Sequence, residues 1–170
     1  MKLAGIGRKS LRRYAIVGVA GVMLTTSPAS GQAGSEEKAA IAVAGSALAA
    51  ITQGDMTALT DLMLPEAVMF PTSTRNGVTT YRVRTRAEQR AAPVTRKVTE
   101  RGFRPEARVN GPVAMVWYPY DLYVDGQWSH CGVDVFTLIR TDGQWRIATM
   151  SWSAEQPPAC EKHPDGPPKQ

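Results

Sequence analysis

The chain is poor in the residues from which most catalytic and metal centres are built. It holds two histidines and two cysteines in 170 residues. The only conceivable metal set is Asp121, His130 and Asp134, and the second histidine, His163, lies far off in a Pro-rich tail. A histidine-rich transition-metal centre is thereby excluded, and no metal and no cofactor are expected. No glycines flank Ser151 as a nucleophile elbow requires, which argues against a Ser151–His130–Asp134 triad. The apolar run Ala15 to Thr26 is shorter than the roughly 20 residues of a membrane span.

The chain also lacks a true basic surplus. Its formal charge is +5, but residues 1–33 read as an export signal. Lys2, Arg8, Lys9, Arg12 and Arg13 form the positive segment, the apolar run follows, and Gly31-Gln32-Ala33 offers small residues for a cut. Arg12-Arg13 resembles a twin-arginine element with an unusual sequel, so the general secretory route stays equally open. The segment holds five of the 20 Lys and Arg and none of the 15 acids, so the rest of the chain balances at 15 to 15. That removes the argument for a nucleic-acid partner, and no membrane contact is expected after signal removal. The expected location is periplasmic or secreted. One local asymmetry remains. Arg75 to Arg108 carries nine arginines and Lys97 against Glu88, Glu100 and Glu106, either a solvated basic face or an anion-attracting rim.

In an exported chain, two cysteines suggest one disulfide, Cys131 to Cys160, stapling the tail across a sheet. A reactive thiol is the alternative reading.

What the chain does have is a meander from Val113 to Ser153. Two echoed turns, Asp125-Gly126-Gln127-Trp128 and Asp142-Gly143-Gln144-Trp145, separate three strand-like runs. Asp-Gly between such runs signals a tight hairpin. Two-residue loops pair Asp121 with His130, Trp117 with Asp134, Met115 with Phe136, Leu138 with Ile147, Phe136 with Thr149 and Asp134 with Ser151. Alternation then puts Val113, Met115, Trp117, Asp121, His130, Asp134, Phe136, Leu138, Ile147, Thr149 and Ser151 on one face. The other face, with Ala114, Val116, Tyr118, Tyr120, Cys131, Val133, Val135, Met150 and Trp152, is too apolar to be solvated. A second copy of the chain is its simplest cover. A one-residue slip would exchange the faces.

Upstream, Ser35-Glu36-Glu37 opens a helix with the stripe Ile41, Ala44, Leu48, Ile51. Gly54 ends it and Asp55 caps a short second helix burying Leu59, Leu62 and Met63. Ala67 to Pro71 and Val78 to Val83 read as strands around an Asn76-Gly77 turn. Thr85-x-x-Glu88 is a capping box opening a third helix that Pro93 ends. Val98 to Val109 reads as a charged strand. The organisation is a signal (1–33), one α+β domain (34–154) and a Pro-rich tail (155–170), irregular or disordered. A curved antiparallel sheet wraps the N-terminal helices as a cone-shaped barrel with an open mouth.

The helix end at Gly54-Asp55, the segment Leu62-Met63-Leu64-Pro65-Glu66-Ala67, and the run from Gly132 to Ile147 resemble the nuclear transport factor 2-like superfamily. The closest resemblance is to exported bacterial proteins of the lumazine-binding or SnoaL-like polyketide-cyclase type. That resemblance implies a cone-shaped α+β barrel, a homodimer through the outer sheet face and a cavity lined by the inner one. It leaves activity open, since such folds host isomerases, cyclases, dehydratases and binding domains.

Asp134 beside Trp117 in an apolar cone is the candidate general base, and His130 opposite Asp121 a second acid–base group. Trp117, Asp121, Phe136, Thr149, Ser151 and Met115 are the candidate ligand-binding residues. The first helix, Lys38 to Gln53, contains no tyrosine and no acid, so it supplies no oxyanion partner of the ketosteroid-isomerase kind. The leading reading is an exported protein binding a small hydrophobic or aromatic ligand in an acid-lined cavity. A cofactor-free lyase, isomerase or cyclase using Asp134 and His130 is the alternative. An interaction module with a self-filled cone is the third.

Overall fold

The computed structural model describes residues 29–169. The expected export segment therefore lies outside the described residues except at its last few positions. The elements in order are α1 (Ala29–Gln53), α2 (Met56–Asp61), β1 (Met63–Arg75), β2 (Val78–Tyr81), β3 (Arg84–Thr85), α3 (Arg86–Ala91), β4 (Val98–Gly102), β5 (Glu106–Asn110), β6 (Val113–Val124), β7 (Gln127–Thr141) and β8 (Gln144–Trp152).

The boundaries follow local chemistry. Gly54 takes a left-handed φ of 69° and ends α1. The Asp55 carboxylate then accepts from the Ala58 N–H at 2.8 Å and starts α2. At α3 the capping box is complete: Thr85 Oγ1 accepts from Glu88 N–H, and Glu88 accepts from Thr85 N–H at 2.7 Å. Both Asp-Gly pairs have positive φ at both residues, as their hairpins require. Two expectations change. α1 runs back to Ala29, so Ser35 lies inside it, and Glu36 binds Arg140 (2.6 Å) and the Trp145 indole (2.9 Å). The charged stretch is two strands, β4 and β5, broken where Arg104 adopts a φ of 46° before Pro105.

The sheet is mixed rather than antiparallel throughout. Its order is β2-β1-β8-β7-β6-β4, with β3 on β1 and β5 on β6. β1 runs parallel to β8. The sheet curls into a half-barrel, and α1 packs along its concave side against β4, β5, β6 and β8. The apolar stripe of α1 is mostly alanine (Ala40, Ala44, Ala47, Ala50 with Leu48), which allows a close approach to Val116, Phe136, Leu138, Ile147 and Met150.

Register is where the structure departs most from the reading of the turns. Both hairpins close as expected, with Val124 opposite Gln127 and Thr141 opposite Gln144. Each then slips by one residue. Tyr123 faces Trp128 but Leu122 faces His130, leaving Ser129 as an extra residue. Leu138 faces Ile147 as expected, but Thr137 faces Thr149, leaving Ala148 extra. Such single-residue bulges reverse the side-chain alternation beyond them. Ala114, Val116, Tyr118, Tyr120, Met150 and Trp152 therefore join Asp134 and Phe136 inside. Met115, Trp117, Thr149 and Ser151 are outside.

The convex face is covered at one end and bare at the other. At one end the tail crosses it. Cys131 and Cys160 form a disulfide with Cα atoms 5.7 Å apart, closing a 29-residue separation. In the chain-entropy account such a loop contributes about 3–4 kcal/mol. The Glu155 backbone pairs with Cys131, and His163 packs edge-on against Phe103. The tail is irregular but tied down. At the other end Val113, Met115, Trp117 and Ile139 are exposed. No helix among the described residues is long and apolar enough to cross a membrane.

Candidate functional site

The concave face is apolar except at one place. Asp134 on β7 is fully buried; its carboxyl meets no N–H or hydroxyl donor and hydrogen-bonds with the Glu100 carboxyl when one of the two is protonated. Glu100 on β4 is 9% exposed and lies close enough to feel its charge. Tyr118 stands directly opposite Asp134 on β6, and Trp152 opposite it on β8. α1 closes the space. Thr52 Oγ1 donates to the Glu100 carbonyl (3.0 Å) and accepts from the Glu100 N–H (2.9 Å). The Tyr118 ring lies over Gly102, where a Cβ would collide with it and with Leu48.

Burial away from water penalises the charged form of both acids. It pushes Glu100 up from 4.5 to about 7. It raises Asp134 well above the usual carboxylate range, and repulsion from Glu100 and a hydrogen bond with it add to that. Two acids in one apolar space cannot both ionise readily, so the pair holds on to a proton that ordinary carboxyls would have lost. A neutral carboxylic acid is a hydrogen-bond donor, and a carboxylate titrating near 7 is a base. The arrangement can therefore grip or protonate an oxygen and accept a proton beside it.

Tyr120 borders this pair. Its hydroxyl donates to the Ser153 carbonyl at 2.7 Å and lies 3.1 Å from His130 Nε2. Burial raises its pKa, with the Asp134 and Glu100 charges adding. Gly132, opposite Tyr120, leaves the space that the Ser153 carbonyl occupies.

The sequence-predicted residues are separated by the bulges. Asp134 and Phe136 line the inner face as expected. Met115, Trp117, Thr149 and Ser151 do not: all four lie on the convex side, for the register reason above. His130 does not face Asp121. Its ring lies against Tyr120 and Ser129 at the end of the sheet, and burial lowers its pKa. Asp121 is opposite Cys131 and is bound bidentately by Arg101, at 2.9 and 2.6 Å. It also accepts the His163 N–H at 3.2 Å, so it anchors the tail. No group of three or more His, Cys, Asp or Glu among the described residues is placed to hold a metal ion.

Glu100 escaped the sequence reading. The alternation Val98-x-Glu100-x-Gly102 carried a usable signal, because it puts a charge in the inward row of a strand. Tyr118 and Tyr120 were assigned to the wrong face by the bulge.

This geometry defines a class. The SnoaL-like domain model matches residues 41–157, more than half of the chain, and the protein belongs to that family. No curated protein matches it. Among solved structures it is similar to a protein of unknown function from Mycobacterium tuberculosis, with 16% identity, TM-score 0.61, and 79% and 80% of the two chains covered. It is similar to a nuclear transport factor 2-like protein of unknown function from Pseudomonas putida KT2440, with 12% identity, TM-score 0.57, and 79% and 98% covered. A third is a proposed β subunit of an aromatic-ring-hydroxylating dioxygenase from Novosphingobium aromaticivorans, with 12% identity, TM-score 0.61, and 74% and 92% covered. At these identities the likeness shows the shared cone fold.

Proposed function

We propose that the protein is an exported small-molecule-binding protein whose ligand is held at the Asp134–Glu100 pair inside the cone. The observation that carries this reading is the Asp134–Glu100 pair itself, two buried carboxyls that share a hydrogen bond in an apolar interior with no ion pair to either among the described residues. Burying two acids together costs stability. Such a pair is worth keeping where a ligand oxygen can enter its hydrogen bond. A protonated Asp134 fits a carbonyl or enol oxygen, and Phe136, Val116 and Tyr118 fit an apolar or aromatic body. α1 stands over the pair, so ligand entry requires that helix to shift.

The second reading is acid–base catalysis on the same ligand, favoured by Glu100 titrating near 7 beside a protonated acid. The partner surface is the exposed strip Val113, Met115, Trp117 and Ile139, which fits a second copy of the chain meeting it face to face. Native mass spectrometry of protein purified from the periplasm tests these together. The expected species is a dimer carrying extra mass, with Trp117→Glu giving a monomer. Incubation of the released ligand with fresh protein separates binding from turnover. A ligand-free protein that also binds nothing from a panel of apolar carbonyl compounds would overturn the binding reading.

A further inference from the structure

We propose a second, separate binding site for a small aromatic anion, at the outer end of the β1–β2 hairpin. A cavity of about 640 Å³ there is lined by Pro71, Thr72, Ser73, Arg75, Thr80, Tyr81, Arg82, Arg84 and Trp152. Three arginines line it and no carboxylate residue does. The arginine-rich stretch of the sequence is thus not an evenly paired surface. Arg86, Arg90, Arg96, Arg101 and Arg104 are tied to acids elsewhere. Arg75 and Arg82 make no ion pair and no side-chain hydrogen bond among the described residues. Arg84 donates only to the neutral Gln89 amide, at 2.6 Å.

The nearby acids are engaged or turned elsewhere. Glu88 caps α3 and is held low chiefly by Thr85, with the Arg84 charge adding. Glu155 lines the neighbouring cleft, which Arg75 also borders. Arg75 and Arg82 are left as positive charge without an ion-pair partner among the described residues, and such charge attracts an anion. Arginine suits a planar carboxylate or a phosphate, because its fork of donors matches their oxygens. Thr72, Ser73 and Thr80 share the lining; the Thr72 hydroxyl donates to the Trp152 carbonyl, and the Ser73 and Thr80 hydroxyls are within hydrogen-bond distance of each other. Two aromatic side chains complete the wall: Tyr81, which is 69% exposed, and Trp152. An exposed tyrosine over a cationic cavity is a stacking surface for a ring. The ligand class is therefore a single aromatic ring bearing a carboxylate or a phosphate. Trp152 also stands opposite Asp134 in register, so this cavity adjoins the concave end of the sheet.

The test is isothermal titration calorimetry on the mature chain with phenyl phosphate, benzoate, inorganic phosphate and benzamide. Phenyl phosphate or benzoate is expected to bind once per chain, at least about tenfold more tightly than inorganic phosphate or benzamide. The preferred head group tells phosphate from carboxylate. Arg75→Gln with Arg82→Gln is expected to weaken binding by roughly a hundredfold, about tenfold for each charge-assisted contact. Both side chains lack structural partners, so the melting temperature should be unchanged. Asp134→Asn should leave this binding intact, which separates the site from the buried pair. The proposal is overturned if neither aromatic anion binds, if inorganic phosphate binds equally well, or if the double variant binds like the parent.

Discussion

Asp134→Asn is expected to stabilise the protein at pH 8 and to leave it nearly unchanged at pH 4. The folded-state pKa values of Asp134 and Glu100 both lie above their ordinary values of 3.8 and 4.5. Between the unfolded and folded values the folded chain binds more protons than the unfolded one, so stability falls as pH rises. The favourable contribution is complete below about pH 4. It is lost progressively as pH climbs through about 7, where Glu100 ionises in the fold. One pKa unit is worth about 1.4 kcal/mol, so the penalty from Glu100 alone is on the order of 3 kcal/mol at pH 8, and Asp134 adds to it in the same direction. Asparagine cannot ionise, so it removes the share of the penalty that Asp134 itself carries. Its amide can donate to Glu100 as the protonated acid does, so little is lost at either pH. The net expectation is a gain of about 1–2 kcal/mol at pH 8 by urea unfolding. Equal effects at both pH values, or destabilisation at pH 8, would mean that Asp134 is not a buried protonated acid.

The second large effect lies on the opposite face. Arg101→Met is expected to cost about 3–5 kcal/mol, because it leaves the Asp121 carboxylate buried without its partner. Asp121 has a side chain only 1% exposed, against 19% for Arg101, so water cannot take over the guanidinium's role. The same change releases the hold of Asp121 on the tail at His163. Replacing both partners, Arg101→Met with Asp121→Leu, should recover most of the loss, since a buried ion pair often has little net advantage over an apolar pair. Denaturant melts of the two single variants and the double variant check this. If Arg101→Met costs under 1 kcal/mol, Asp121 is solvated and the pair is an ordinary surface contact.

These two acids show how far the sequence could be read. Local signals were dependable: the Asp-Gly turns, the Asp55 cap and the Thr85–Glu88 box each act within a few residues. The cone fold was legible because the order of helices and strands carries it. The faces were not. Ser129 and Ala148 are ordinary residues for a strand, and nothing in their chemistry announces a bulge. Each nevertheless moved a strand's worth of side chains across the sheet. Asp134 kept its place because it lies on β7, to which both slips are referred. Trp117 and Ser151 lost theirs because they lie beyond the slips. Asp121 was read as the partner of His130 on the cavity face and not as the partner of Arg101, which is 20 residues away and joined through the β4–β6 pairing.

The account rests on a proton held inside the cone, and a carbon-13 NMR titration of the side-chain carboxyls reads it directly. The result expected is that Asp134 stays protonated through neutral pH and that Glu100 titrates near 7, with the two curves coupled. If both carboxyls titrate near 4 as independent groups, the interior is wet or the pair is apart. The ligand site proposed for the cone would then lose its foundation.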